Sequence, residues 1–131
     1  MKVTPTGLPE VLLIEPRVFP DSRGHFFESL VGPRYQEAGI AGPFVQDNFS
    51  RSTQDTLRGL HFQEPKGQGK LITVLSGEIY DVAVDVRADS PRYREWIGIE
   101  LNGDNPQQLW IPPGFAHGFC VLSEHADFIY K

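Results

Sequence analysis

Hydrophobic and polar residues alternate along this chain in short bursts, and rarely with helical spacing. Ile79 to Val86 is the clearest case: Tyr80, Val82, Val84 and Val86 fall on one face, Asp81 and Asp85 on the other. Trp96 to Leu101 repeats the pattern and turns Ile97, Ile99 and Leu101 inward. Shorter strand-like runs cover Val11–Ile14, His25–Ser29, Phe44–Ser50, Leu57–Gln63, Gln68–Val74, Gln107–Ile111, Gly118–Leu122 and Asp127–Tyr130. Turn residues separate them: Asp21-Ser22-Arg23-Gly24, Ser90-Pro91 and Asn102 to Pro106, with Leu75-Ser76-Gly77-Glu78 read as a tight hairpin turn between two strands. Only Arg34 to Ala38, after Pro33 and before Gly39, reads as a helical turn. About ten short strands with frequent turns predict an all-β sandwich or barrel, whose mouth suits one ligand.

Length and composition narrow this. The 131 residues suffice for one domain, 1–131, with one core. Glycine (13) and proline (11) make up about 18 % of the chain, against roughly 12 % on average, as many turns require. The net charge is −5, with both signs interspersed, which argues against a nucleic-acid partner. An anionic ligand needs a local cationic cluster in such a chain. Cys120 is the single cysteine, so no intrachain disulfide forms; in Gly118-Phe119-Cys120-Val121-Leu122 it reads as a small buried hydrophobe. No run approaches the roughly 20 apolar residues of a membrane helix, and the N-terminus has no signal-peptide core. The expectation is a soluble cytoplasmic protein without a membrane partner.

Candidate chemistry centres on Leu57-Arg58-Gly59-Leu60-His61-Phe62-Gln63, followed by Gln68-Gly69-Lys70 at the head of the next strand. A lone histidine in an apolar strand is usually packed in the core. Arg58 and Lys70 change that reading, because three cationic groups do not share an apolar interior without a purpose. Together they supply a base and two cations for an anionic ligand, and the β-scaffold is expected to enclose His61. A second histidine, His117, follows the rigid Pro112-Pro113-Gly114 turn. Asp81, on the same face as Asp85, is placed to orient His117. Taken singly, Tyr130 reads as a packed or rim tyrosine, Arg23 and Glu28 as a surface pair, and the tryptophans and phenylalanines as packing.

A histidine strand, a hairpin and then P-x-G-x-x-H resembles the cupin superfamily of jelly-roll barrels. Many cupins bind metal through an H-x-H pair, a glutamate and a further histidine. Here Phe62-Gln63 follows His61, and Lys70 falls near the glutamate's place, so no metal is expected. Within the superfamily, Asp21 to Glu28, Gln46 to Ser50, Leu57 to Gln63, Gln68 to Lys70, Ser76 to Arg87 and Pro112 to Phe119 resemble the dTDP-4-dehydrorhamnose 3,5-epimerase family. The resemblance implies a cofactor-free isomerase that epimerises C3 and C5 of dTDP-4-dehydro-6-deoxy-D-glucose beside its C4 ketone. It implies His61 as base, Lys70 as stabiliser of the enolate oxygen and Tyr130 as acid on the other face. It implies Arg23, Phe26, Glu28, Gln46, Asn48, Arg58, Lys70 and His117 as contacts to the dTDP-sugar, Phe26 stacking on thymine. It further implies a homodimer in which the segment carrying Arg23 to Glu28 enters the partner's site. It also implies a C-terminal region of the family beyond Lys131, holding an aromatic residue, a basic residue and the aspartate that orients the base; these are absent here. Other readings stay open: a related sugar-nucleotide epimerase or ketoisomerase, or a non-catalytic sugar-nucleotide-binding cupin.

Overall fold

The computed structural model describes residues 1–40 and 42–131. Among the described residues there are twelve strands and one short helix, and every strand pair is antiparallel. The strands are β1 (Lys2–Pro5), β2 (Leu12–Glu15), β3 (Val18–Asp21), β4 (Gly24–Phe27), β5 (Asn48–Thr53), β6 (Leu57–His61), β7 (Lys70–Ser76), β8 (Glu78–Asp85), β9 (Trp96–Asn102), β10 (Gln108–Ile111), β11 (Phe115–Val121) and β12 (His125–Tyr130), with α1 at Gly32–Glu37. A six-stranded sheet runs β1-β2-β10-β7-β12-β5 and a four-stranded sheet runs β6-β11-β8-β9. The β3–β4 hairpin forms a separate two-stranded ribbon.

The two sheets pack face to face as a jelly roll, because each strand turns alternate residues inward. The six-stranded sheet contributes Ile72, Val74, Leu109, Ile111, Ala126 and Phe128; the four-stranded sheet contributes Ile79, Ala83, Leu101, Phe115, Phe119 and Val121. Ile97 and Ile99 pack against this core beside Leu101. A second cluster, Ile14, Tyr35, Ile40, Leu71 and Trp110, covers the outer face of the six-stranded sheet. Buried Gln108 holds it in place: its Nε2 donates to Thr73 Oγ1 (2.8 Å) and to the Ser29 carbonyl (2.9 Å), while the Tyr35 hydroxyl donates to its Oε1 (2.6 Å). The outer face of the four-stranded sheet stays open, with Leu57 76 % and Trp96 61 % exposed.

Several expectations are corrected. The period of two in β8 holds, but the carboxylate face is the buried one: Ile79, Asp81, Ala83 and Asp85 turn inward, and Tyr80, Val82 and Val84 are half-buried on the open face. Leu75 to Glu78 does not make a hairpin. β7 and β8 belong to different sheets, and Gly77 (φ +76°) is the corner between them, packed against the His125 carbonyl. The strand expected from Phe44 begins at Asn48, where pairing with Tyr130 starts; Phe44 instead sets its ring edge-on to Trp110. α1 starts at Gly32 and takes Pro33 into its first turn, where a proline has no amide bond to lose. β1 and β3 escaped the pattern because their residues are largely exposed.

Asp85 organises the other end of β8. Its carboxylate accepts from Arg87 Nε (3.0 Å), Arg87 Nη2 (2.7 Å), the Arg87 amide (3.0 Å) and Ser90 Oγ (2.5 Å). Arg87 also stacks on Phe115, 4.6 Å from the ring centroid. The Arg87 guanidinium and Ser90 hold the Asp85 carboxyl well below the usual carboxylate range. A depressed carboxyl contributes stability above its unfolded pKa and loses it as pH falls toward the folded one. Asp85→Asn is therefore expected to cost about 2 kcal/mol at pH 7, since it removes the buried carboxylate that accepts from Arg87 and Ser90 and leaves Arg87 only its more exposed pair with Glu10. Urea midpoints measured at pH 7 and pH 3 check this: the gap between variant and parent narrows at the acid pH.

Candidate active site

β6 carries Arg58 and His61 three positions apart. Strict alternation puts them on opposite faces. The register with β11 does not alternate: His61 lies opposite His117 and Arg58 opposite Phe119, so three steps on β6 match two on β11. The extra residue is a bulge at Gly59-Leu60, and it turns both side chains to the same, inward side. Gly59 permits it with φ +102°, and a Cβ there stands 2.6 Å from the His117 carbonyl and 2.7 Å from Gly118 Cα.

The inward side chains meet in a cavity of about 510 Å³. His61, Arg58 and His117 reach it from the four-stranded sheet, and Lys70, Asn48 and Tyr130 from the six-stranded sheet, with Gln46 at its edge. Phe49, Ser50, Phe62, Gln63, Gln68 and Phe119 complete the walls. A second cavity of about 390 Å³ shares Gln46, Asn48, Gln68, Lys70 and Tyr130 with the first, and adds Trp110, Lys66 and Lys131.

Burial differs sharply within the site. His61 and Arg58 are exposed on the edge strand, which corrects the expectation of an enclosed His61: β6 has a neighbour on one side only. His117 and Lys70 are buried, at 5 % and 9 % exposure. Asp81 lies against His117, fully buried, with its Oδ2 2.9 Å from His117 Nε2. Its Oδ1 has no hydrogen-bond partner among the described residues. Burial pushes the Asp81 carboxyl above its usual range, against the pull of His117 and Lys70. Burial likewise pushes the Lys70 ammonium below its usual range, and Asp81 opposes that.

Arg23, Phe26 and Glu28 lie elsewhere, on and just beyond the β3–β4 hairpin. Arg23 pairs with Asp21 (2.7 Å), Phe26 is 64 % exposed beside Phe19, and Glu28 pairs with Arg34. None lines the cavity of its own chain. Among the described residues no three His, Cys, Asp or Glu side chains converge as a metal requires. Ser50 and Ser52 escaped the sequence reading. Both share the inward row of Asn48 on β5, and Ser52 Oγ accepts from Arg58 Nε at 3.3 Å. The alternation Asn48-x-Ser50-x-Ser52 was their signal.

An antiparallel jelly roll with an inward histidine, lysine and tyrosine in one cavity is a cupin-type barrel equipped for proton transfer. The profile of the dTDP-4-dehydrorhamnose 3,5-epimerase family matches residues 5–131. The chain is 54 % identical to the dTDP-4-dehydrorhamnose 3,5-epimerase of Shigella flexneri, covering all of this chain and 74 % of that one. It superposes on the crystal structure of the epimerase RmlC from Legionella pneumophila, in complex with dTDP-4-keto-L-rhamnose, with a TM-score of 0.96 at 53 % identity, over 99 % of this chain and 70 % of that one. A more distant structure, the 3'-monoepimerase ChmJ from Streptomyces bikiniensis in complex with dTDP-quinovose, superposes at 0.89 and 27 % identity, over 96 % of this chain and 65 % of that one. The chain belongs to the dTDP-4-dehydrorhamnose 3,5-epimerase family.

The bulge makes a local prediction. Gly59→Ala is expected to push β6 off β11, lowering stability by about 2 kcal/mol and activity at least roughly tenfold, because His61 and Arg58 move with the strand. Thermal denaturation and steady-state rates check both effects; an unchanged rate removes the bulge from the site's design.

Proposed function

We propose that this chain epimerises C3 and C5 of dTDP-4-dehydro-6-deoxy-D-glucose to dTDP-4-dehydro-L-rhamnose, with His61 as base, Lys70 at the enolate oxygen and Tyr130 as acid. One observation carries the reading. His61 and Tyr130 enter a single cavity from opposite sheets, and Lys70 projects from the strand paired with that of Tyr130. Epimerisation beside a ketone needs this placement. A base removes the proton from one face, the carbonyl oxygen takes up the charge, and an acid returns a proton to the other face. Facing sheets stand about 10 Å apart, enough for a sugar ring between the two groups.

The remaining residues serve binding. Arg58, steadied by Ser52, offers a guanidinium fork to the diphosphate. Gln46 Nε2 donates to Asn48 Oδ1 at 2.9 Å, and the pair presents its other polar atoms along the cavity edge. His117 meets the sugar, its ring oriented by Asp81. Arg23, Phe26 and Glu28 act in a second copy: the hairpin carries them outside their own cavity, and the open apolar face of the four-stranded sheet suits a partner subunit. We place the enzyme in the cytoplasm, whose reducing conditions keep Cys120 a thiol. Among the described residues no helix is long and apolar enough to cross a membrane.

A single-carbon epimerisation is the second reading, because a 3'-monoepimerase shares the fold. Incubation with substrate in deuterated water separates the two: deuterium at both carbons flanking the ketone is expected, and label at one carbon only selects the second reading. His61→Ala is expected to abolish exchange, a loss of roughly 10²–10⁴-fold. Tyr130→Phe should keep the first exchange but return the proton to the wrong face. Mixing Arg23→Ala with His61→Ala subunits should restore activity that neither has alone, since one hybrid site then holds both native groups.

A further inference from the structure

The β3–β4 ribbon has no sheet to hold it. Its strands pair only with each other, and all of its residues except Phe27 are exposed. A lone two-stranded hairpin in water is marginally stable and does not fix its own direction. Where it points is therefore decided at its root, by the two legs that join it to the sandwich. The first leg is Pro16-Arg17, which follows β2. The second is Glu28 to Val31, which leads from β4 into α1.

Both legs meet at Gln108, which is fully buried on β10. On one side its register partner on β2 is Ile14, just ahead of the first leg. On the other, its Nε2 donates at 2.9 Å to the carbonyl of Ser29, in the second leg. The same nitrogen donates to Thr73 Oγ1 at 2.8 Å, on β7. Tyr35, buried on α1, donates to Gln108 Oε1 at 2.6 Å, and its hydroxyl lies 3.2 Å from the same Ser29 carbonyl. Both polar atoms of the Gln108 amide thus have partners, which locks its orientation. Burial pushes the Tyr35 phenol above its usual range, so it stays a donor. The next residue of the helix, Arg34, pairs with Glu28. α1 therefore grips two consecutive residues of the second leg. An amide buried among Ile14, Leu71 and Trp110 is costly unless fully bonded, and the backbone it reaches beyond the sheets is the leg of the ribbon.

We propose that Gln108 and Tyr35 are positioning residues for ligand binding: by holding the Ser29 carbonyl they set the direction in which the ribbon presents Arg23, Phe26 and Glu28. Neither lines the cavity that holds His61, Lys70 and Tyr130, so their effect on the reaction runs through the cavity of a second copy. The proposal rests on the reading that the ribbon serves a second copy, and goes beyond it in naming what aims the ribbon. A buried polar node on the outer face of one subunit's sheet becomes a determinant of affinity at the other subunit's site.

The test is Tyr35→Phe, which removes the hydroxyl and keeps the ring. The expected result is a KM for the dTDP-sugar higher by about 3–10-fold with kcat changed less than about twofold, since the loss falls on groups that bind and not on those that move protons. Exchanging Tyr35→Phe subunits with an excess of His61→Ala subunits should return KM to the parent's value, because each working cavity then receives an unaltered ribbon. An excess of His61→Ala subunits that also carry Arg23→Ala should not. A purely structural role for Tyr35 leaves KM raised in both mixtures. If Arg23→Ala itself is not rescued by His61→Ala subunits, the reading of the ribbon in a second copy fails, and hydrogen exchange of the unliganded protein judges the root alone. Residues 16–30 should exchange at least roughly fivefold faster in Tyr35→Phe, while Ile72 and Leu109 keep the parent's protection. Arg34→Ala, on the exposed side of α1, should show both effects more weakly and serves if Tyr35→Phe does not fold. A raised KM that His61→Ala subunits fail to restore although they rescue Arg23→Ala overturns the proposal. So does exchange that is unchanged at 16–30, or that quickens equally at Ile72 and Leu109.

Discussion

The inner face of a β-sandwich has to hold two incompatible things in this chain. At one end it is a hydrocarbon core, from Ile79 and Ala83 across to Val74 and Phe128. At the other it buries Lys70, Asp81 and His117. An ion in such surroundings costs several kcal/mol unless it is compensated, and the compensation in view is the bond between Asp81 and His117 on neighbouring strands of one sheet. Removing the carboxylate leaves a cation in the interior. The chemical site and the integrity of that end of the sandwich are thus one physical problem.

Against this rigid floor the edge strand supplies what must stay accessible. β6 pairs on one side only, and its residues are exposed along its length. A regular strand there shows either Arg58 or His61 to the cavity. The bulge at Gly59 shows both, at the cost of an approach to β11 so close that a single extra carbon has no room. The glycine is a backbone requirement with a chemical outcome: it decides which side chains share a face.

The sequence revealed these features unevenly, for physical reasons. Alternation located β8 and β9 almost to the residue, because each has one face in the core. It did not reveal which face of β8 was inside. Tyr80, Val82 and Val84 are the more apolar set, yet they lie on the open side, and Asp81 and Asp85 go inward because each finds its compensation there, His117 and Lys70 for one, Arg87 and Ser90 for the other. Gly77 was visible as a turn, but a turn within a sheet and a corner between sheets use the same residue types. The bulge at Gly59 left no mark in the pattern, since bulges arise from pairing with a distant strand. The expected site residues of the barrel converge in one cavity, whereas those of the hairpin do not, because β3 and β4 pair only with each other.

That separation divides the labour of the site. His61, Tyr130 and Lys70 all project into one cavity from the two packed sheets. Arg23, Phe26 and Glu28 ride on a ribbon that is not part of either sheet. Abstraction and return of a proton demand groups on opposite sides of a planar enolate, and two facing sheets provide that by construction. Residues on an independent ribbon can change without disturbing the packing of the two sheets.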